Sequence, residues 1–305
     1  VVFSAKKHTP LGIQQIRFSM SHTTDEPISG ADVRDVATSA ELLVNWIRER
    51  ASLVVAFSGG VDSAVVAAAA FRALGEHAVA WTSHSPAVPV SDRQSAEQIA
   101  REIGIRHVVV ETAELQNLAY VSNNPDRCFH CKSTLYSTIR AWADAENYQC
   151  IVSGTNHDDL GDYRPGLRAA SEWGVLAPLA ELGMGKGEVR RLAHYWRLAV
   201  AGKPASPCLS SRIAYGQVVT LGRLRSIESM EMWLASEGFQ DVRARLHADG
   251  LLRIEIHAQD LGRVLADETR SRIVAHAESL GFKYVTLDLG GRSSGSMNRV
   301  LPAGS

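Results

Sequence analysis

The chain has 305 residues, with 32 Lys and Arg against 33 Asp and Glu and a formal net charge of −1. That length supports one large or two modest domains with a sizeable core, and the near-neutral balance excludes the basic footprint of a general nucleic-acid binder. No apolar run approaches the roughly 18 residues of a membrane span, no signal peptide is evident, and four cysteines in a chain this long do not make a disulfide scaffold, so a cytoplasmic setting with reduced thiols is expected.

The chain opens Val1-Val2-Phe3 and its first methionine is Met20. Residues 1–19 carry no core-forming pattern, so residues 1–30 are expected to be a disordered extension, with Met20 the start of the functional protein. Val33, Val36, Leu42, Leu43, Trp46 and Ile47 then recur at helical spacing and predict a helix over 31–51. Strands follow at 52–57, 78–82, 106–110 and 149–153. Helices lie between them at 62–74, 91–103 and 132–146, the first two stopped by Gly75 and Gly104. Continuous apolar strands alternating with helices predict an α/β fold with a parallel sheet covered on both faces. Beyond a boundary between Tyr215 and Gly222 the texture changes. A helix at 224–237, short alternating strands at 242–246 and 252–256 around Ala248-Asp249-Gly250, a helix at 273–280 and a strand at 284–287 make a small α+β module. The expected division is 31–216 for the parallel-sheet domain and 217–305 for a smaller domain that binds substrate and makes oligomer contacts.

The segment Ser58-Gly59-Gly60-Val61-Asp62-Ser63 sits where the first strand turns into a helix. Such a turn aims backbone N–H groups at one spot, and the helix end adds partial positive charge, so the spot suits phosphate. Two glycines let an anion approach the backbone without a Cβ in the way, Ser58 and Ser63 add hydroxyls, and Asp62 beside a phosphate calls for Mg2+. The lysine of the G-x-x-x-x-G-K-[ST] loop is missing, which points to holding a released pyrophosphate. The string resembles the PP-loop of the ATP pyrophosphatase superfamily, whose members split ATP into AMP and pyrophosphate and adenylate a substrate. Ligands in such sheets bind beyond the carboxyl ends of the strands, where Ser83-His84-Ser85 and Gly154-Thr155-Asn156 also lie.

Cys128-Phe129-His130-Cys131 forms a C-x-x-C, and Cys208 lies far downstream. Neighbouring Pro and Asn residues predict loops for both. Cys150 falls inside a strand and reads as a small buried hydrophobe. From the residues alone four readings stand: zinc with only three loop cysteines, a redox C-x-x-C pair, plain thiols, or an iron–sulfur cluster held by three thiolates with one iron open. Arg243 and Arg245 share one strand face, with Arg253 on the next strand; they are either a solvated edge or a clamp for phosphate, to which arginine's fork is matched. Asp158 and Asp159 either assist Mg2+ or cap a turn.

Beyond the PP-loop, Asn124-Pro125-Asp126-Arg127-Cys128, Asp162-Tyr163-Arg164-Pro165-Gly166-Leu167, Ser210-Ser211-Arg212 with Tyr215-Gly216, and Tyr284-Val285-Thr286-Leu287-Asp288-Leu289-Gly290-Gly291 occur in order. Together they resemble the LarE family of sulfur transferases over about residues 35–300. The resemblance implies adenylation of the carboxylates of pyridinium-3,5-biscarboxylate mononucleotide and their conversion to thiocarboxylates for the nickel-pincer cofactor of lactate racemase. It implies ATP with Mg2+ at Ala56, Ser58, Gly59, Gly60, Val61, Asp62, Ser63 and Gly154, and substrate at Arg164, Arg212, Arg243, Arg245 and Glu255. One form of the family sacrifices a cysteine at the position of Pro207 and lacks the C-x-x-C. The other resembles this chain, and implies that Cys128, Cys131 and Cys208 are catalytic and hold a [4Fe-4S] cluster. It further suggests a homo-oligomer, with a hexamer as one candidate, and leaves the sulfur donor unnamed. The alternatives are a cluster-dependent tRNA thiolation enzyme, a sacrificial-cysteine transferase, a synthetase of the NAD or GMP type sharing only the loop, and a non-enzymatic iron–sulfur carrier.

Overall fold

The apolar run Leu53–Ala56 forms the inner strand β1 of a four-stranded sheet in a computed structural model that describes residues 30–161, 165–204, 206–293 and 295–300. The proposed extension, save Gly30, lies outside the described residues, as do Met20 and Arg164. With β2 (Ala78–His84), β3 (Arg106–Glu111) and β4 (Cys150–Ser153) the sheet order is β3-β2-β1-β4, every pair parallel. Side chains alternate across it. Leu53 and Val55 face a core built with helices α1 (Gly30–Arg48) and α2 (Val61–Leu74), while Val54, Val79, Trp81 and Ile151 face the opposite core. The run Ala64–Ala70 in α2 is buried all round; its small side chains let the sheet and other helices close in. Helix α3 (Val90–Ile103) packs on the same face.

After a short helix α4 (Leu118–Val121), helix α5 (Arg127–Ala145) crosses the other face through Tyr136, Ile139 and Ala143. This corrects the loop expected for the C-x-x-C: Cys128 and Cys131 lie in the first turns of α5. The irregular Asn-Pro stretch ends at Pro125, and nothing from Arg127 onward breaks a helix. The apolar period of α5 also reaches back to Phe129, which packs on its core. Short helices α6 (Pro165–Glu172) and α7 (Pro178–Glu181) and helix α8 (Lys186–Tyr195) complete the first half.

The second sheet holds β5 (Arg243–Leu246), β6 (Leu251–Glu255) and β7 (Tyr284–Leu287), with β5–β6 antiparallel and β6–β7 parallel. Helix α9 (Leu221–Ser236) supplies Leu224, Ile227, Met230 and Leu234 to its core; α10 (Leu261–Val264) and α11 (Asp267–Ser279) add Val264, Ile273 and Ala277. Helix α11 begins six residues before the expected 273, because its first turns are polar and exposed. The same core takes in Ala87, Tyr120, Leu209 and Ile213, so chain from before residue 217 packs with the second sheet.

The tie between the two halves is polar and buried. Asn123, at φ 55 where asparagine is tolerated, donates from Nδ2 to the carbonyls of Ile213, Ala214 and Gln217 at 3.2, 2.9 and 3.0 Å. Its Oδ1 accepts from Arg127, 2.5 Å away, and Arg127 donates to Ser210 O at 2.8 Å. Replacing Asn123 by Ala leaves three carbonyls and a guanidinium short of a partner. The expected cost is about 2–3 kcal/mol, read as a lowered urea midpoint; a change of less than about 0.5 kcal/mol would show that the tie is dispensable.

Candidate active site

The Ser58–Ser63 loop ties up the N–H groups of Ser58 and Gly60 in hydroxyl contacts and, among the described residues, leaves those of Gly59, Val61, Asp62 and Ser63 without a partner. Gly60 begins α2 with no side-chain cap. Ser58 and Ser63 hydroxyls lie 3.2 Å apart, Ser63 donates to Gly60 O at 3.1 Å, and Gly60 N donates to Ser58 Oγ at 3.3 Å. Two close approaches make glycine obligatory. Gly59 has φ +70, and a Cβ there would stand 2.7 Å from Ala96 Cα; at Gly154 a Cβ would stand 2.6 Å from Ser63 N. Gly154 therefore presses the end of β4 against the start of α2.

Two cavities open from this loop. One, of about 540 Å³, runs over Phe57, Trp81 and Thr82 to Cys131 and Cys208. The other, of about 640 Å³, runs over Ser153, Gly154 and Gly166 to Tyr215, Arg245 and Ser296. Ala56, Ser58, Gly60, Asp62, Arg127, Cys128 and Lys132 border both. In the first cavity Thr82 donates to Phe57 O at 2.8 Å, so His107 Nε2, 2.8 Å from the same hydroxyl, must donate to it. Burial lowers the His107 pKa, which keeps the ring in that neutral form.

Asp62 has its pKa raised, first by burial and then by the charge of Asp159. Asp159 accepts from Asn156 N at 3.2 Å and stands 3.4 Å from Lys186 Nζ. Two carboxylates side by side next to a phosphate loop form a suitable donor pair for a divalent cation.

None of the three thiols is in a disulfide. Cys128, Cys131 and Cys208 all border the first cavity. Burial, and then the charge of Cys208, push the Cys131 thiol up to about 12. The Cys208 loop is held from several sides. Arg212 donates from Nε and Nη2 to the two oxygens of Glu231 at 3.0 and 3.2 Å, and from Nη1 to the carbonyls of Pro207 and, at 3.1 Å, Cys208. Tyr120 Oη lies 2.6 Å from Ser210 Oγ, and Leu209 N donates to Ala87 O at 2.7 Å. Among the described residues no compact group of three or more His, Cys, Asp or Glu side chains suits a metal ion.

The arginines separate by position. Arg212 borders neither cavity, its donors committed to Glu231 and the cysteine loop. Arg243 also lies off both, held by Asp241 at 3.1 Å and Val242 O at 2.7 Å. Arg245 borders the polar cavity, donating to Ser211 O at 3.1 Å and Glu255 at 2.9 Å. Buried Glu255 also takes Arg253 at 3.2 Å and the Ser296 hydroxyl at 2.6 Å. Burial alone would raise the Glu255 pKa; the hydrogen bonds from Arg245 and Ser296 outweigh it and bring it below the ordinary value.

The sequence pattern of the NAD synthase family matches residues 38–159. An uncharacterized protein of Synechocystis is 41% identical over 261 residues, 86% of this chain and 97% of that protein. The pyridinium-3,5-bisthiocarboxylic acid mononucleotide synthase of Lactiplantibacillus plantarum is 35% identical over 268 residues, 87% of this chain and 96% of that enzyme. The chain belongs to the LarE family. It is a PP-loop enzyme, an ATP-dependent sulfur transferase. More distantly, a tRNA-specific 2-thiouridylase of Rickettsia peacockii is 26% identical over 227 residues, 61% of this chain and 62% of that enzyme.

Within this LarE-family site, sequence reasoning passed over Lys132 and Asn123, and placed Asn156 at a ligand-binding strand end without giving it a role. Lys132 stands four residues after Cys128, one helical turn, which was the available signal once the segment is helical. Asn156 is wholly buried behind Asp62; its place after the strand marks the segment, but nothing local marks its pairing with Asp62.

Gly154→Ala is expected to weaken ATP binding at least about tenfold by calorimetry, since the new methyl displaces the α2 backbone; unchanged affinity would contradict the close approach. Because the folded Glu255 pKa lies below its unfolded one, its ionised form contributes stability above the ordinary carboxylate range, and that is lost as pH falls through the folded value. Glu255→Gln should flatten this acid limb in denaturation measured from pH 6 down to about 3; an unaltered limb would contradict the pairing.

Proposed function

We propose that this enzyme adenylates the two carboxylates of pyridinium-3,5-biscarboxylate mononucleotide in turn and converts each to a thiocarboxylate, a step in building a nickel-pincer nucleotide. The observation that carries the reading is the meeting of two cavities over one phosphate loop with Cys128 on the border of both. The nucleoside of ATP fits the more apolar cavity over Trp81 and Thr82; the pyridinium substrate fits the polar one, whose far wall is Arg245. The first domain, 31–216, then supplies ATP and sulfur chemistry, and 217–305 the anion-binding wall.

A carboxylate has no leaving group. Its oxygen attacks the α-phosphorus of ATP and pyrophosphate departs, held by the backbone donors of Ser58–Ser63; Asp62 and Asp159 would hold a Mg2+ ion, which would neutralise charge on the phosphates. Sulfur then attacks the acyl carbon, the bond to AMP breaks, and AMP leaves with the electron pair. Lys132 and Arg127 place positive charge where the phosphate and the thiols converge. The name of the Lactiplantibacillus plantarum relative gives the product class, a pyridinium-3,5-bisthiocarboxylic acid mononucleotide, and this chain's residues supply matching binding groups.

Three unpaired thiols on the edge of one cavity are a donor set suited to a [4Fe-4S] cluster. Cys128, Cys131 and Cys208 would hold it, and the cluster, when bound, would supply an open iron to which sulfur can attach. Arg127, Lys132, Tyr120 and the clamped Ser210 loop orient those thiols whether or not it is bound.

The test is anaerobic assay of reconstituted protein with ATP, sulfide and the biscarboxylated mononucleotide, with mass spectrometry of substrate and protein. Many thiocarboxylates per protein at unchanged protein mass are expected. One turnover with the protein lighter by one hydrogen sulfide would replace the cluster by a sacrificed cysteine. Absence of thiolated product, with AMP released only on adding tRNA, would move the enzyme to the tRNA-thiolating alternative.

A further inference from the structure

The polar cavity has more recognition groups than the reacting carboxylate and a phosphate require. At one end stand the Ser58 loop and Lys132; in the far wall stands Arg245, whose buried Nε has no hydrogen-bond partner among the described residues. A third group lies on the segment Gly295–Asn298, which folds back across the second sheet and edges the same cavity. Ser296 anchors that segment to Glu255 and Arg245 at 2.6 and 3.2 Å, and Arg253 reaches Met297 Sδ at 3.4 Å. Next to these, Tyr215 donates its hydroxyl to Asn298 Oδ1 at 3.1 Å.

That last bond fixes the carboxamide. With Oδ1 engaged by a donor, both N–H groups of Nδ2 point elsewhere, and among the described residues nothing accepts from them. An amide presenting two N–H groups calls for an acceptor with lone pairs and no proton. We infer that Asn298, oriented by Tyr215, forms the subsite for the second carboxylate of the substrate, the one not being adenylated.

The inference rests on the function proposed above and adds to it the group that distinguishes a dicarboxylate from a monocarboxylate. The charges sort accordingly. A phosphate dianion favours the guanidinium of Arg245, and the reacting carboxylate must lie at the phosphate loop. The remaining carboxylate meets a neutral donor. Neutrality suits the chemistry, because after the first round the same subsite must accept a thiocarboxylate and release it. An amide holds either anion without the grip of a buried ion pair.

The test compares initial rates on pyridinium-3,5-biscarboxylate mononucleotide and on the pyridinium-3-carboxylate mononucleotide, for wild type, Asn298→Asp, Asn298→Ala and Tyr215→Phe. Asn298→Asp should raise KM for the dicarboxylate about tenfold or more, through a lost hydrogen bond and a facing negative charge. KM for the monocarboxylate should change less than about twofold. Tyr215→Phe, which releases the amide, should move the dicarboxylate in the same direction by less. If the Asp variant fails to fold, Asn298→Ala carries the same comparison. Equal shifts for both substrates, or none for either, overturn the subsite while leaving the function standing. A wild-type enzyme that thiolates neither compound overturns the function, and the subsite with it.

Discussion

The buried link from Asn123 through Arg127 to the Ser210 carbonyl is the constraint on which the site depends. Arg127 opens the helix that carries Cys128 and Cys131. Ser210 lies two residues beyond Cys208. Asn123 holds three carbonyls of the strip that leads into the second sheet. One polar cluster therefore sets the distance between the C-x-x-C and the distal cysteine and the placement of the second sheet over the first. Buried polar groups of this kind are costly to leave unmade and highly directional. Apolar packing through Tyr120, Leu209 and Ile213 excludes water around the cluster, but does not by itself specify a register.

The second organising feature is how charge is distributed between the cavities. Acidic groups gather behind the phosphate loop, where Asp62 and Asp159 call for a cation. Cationic groups gather where anions must arrive: Lys132 and Arg127 at the shared border, Arg245 at the far wall. Arg212 and Glu231 show the opposite use of charge, a closed bidentate pair whose work is to hold a loop. Of the two arginines on one face of β5, only Arg245 meets the polar cavity. Arg243 turns to Asp241, so residues at the same strand face with the same chemistry take different partners once the neighbours are placed.

The phosphate loop was legible in the sequence because its function requires backbone geometry that only glycine and small polar residues provide, and such requirements leave local signatures. The parallel sheet was legible for a similar reason, since strands buried on both faces are apolar throughout. The C-x-x-C was misplaced in a loop because Asn124 and Pro125 weighed more than the helical period running back from Tyr136 to Phe129. The region from Gly154 to Tyr215, with α6, α7 and α8, received no elements, its helices being short and shaped by contacts far away in sequence. The roles of Asn123 and Lys132 depend on partners ninety or more residues off or on a cavity, and no local pattern carries that. Arg212 was read as an anion binder from its motif; its bidentate pairing with Glu231 comes from α9, which no reading of the motif alone can supply.

The central claim is that ATP, the pyridinium substrate and the sulfur chemistry meet at one border, around Cys128. The most direct measurement is a crystal structure of the anaerobically reconstituted protein soaked with AMP and the biscarboxylated mononucleotide, with anomalous data at the iron edge. The account predicts AMP over Trp81 with its phosphate on the Ser58 loop, the substrate phosphate on Arg245, and iron peaks bounded by Cys128, Cys131 and Cys208. Iron absent from the cysteines, or substrate bound away from the shared border, would contradict it.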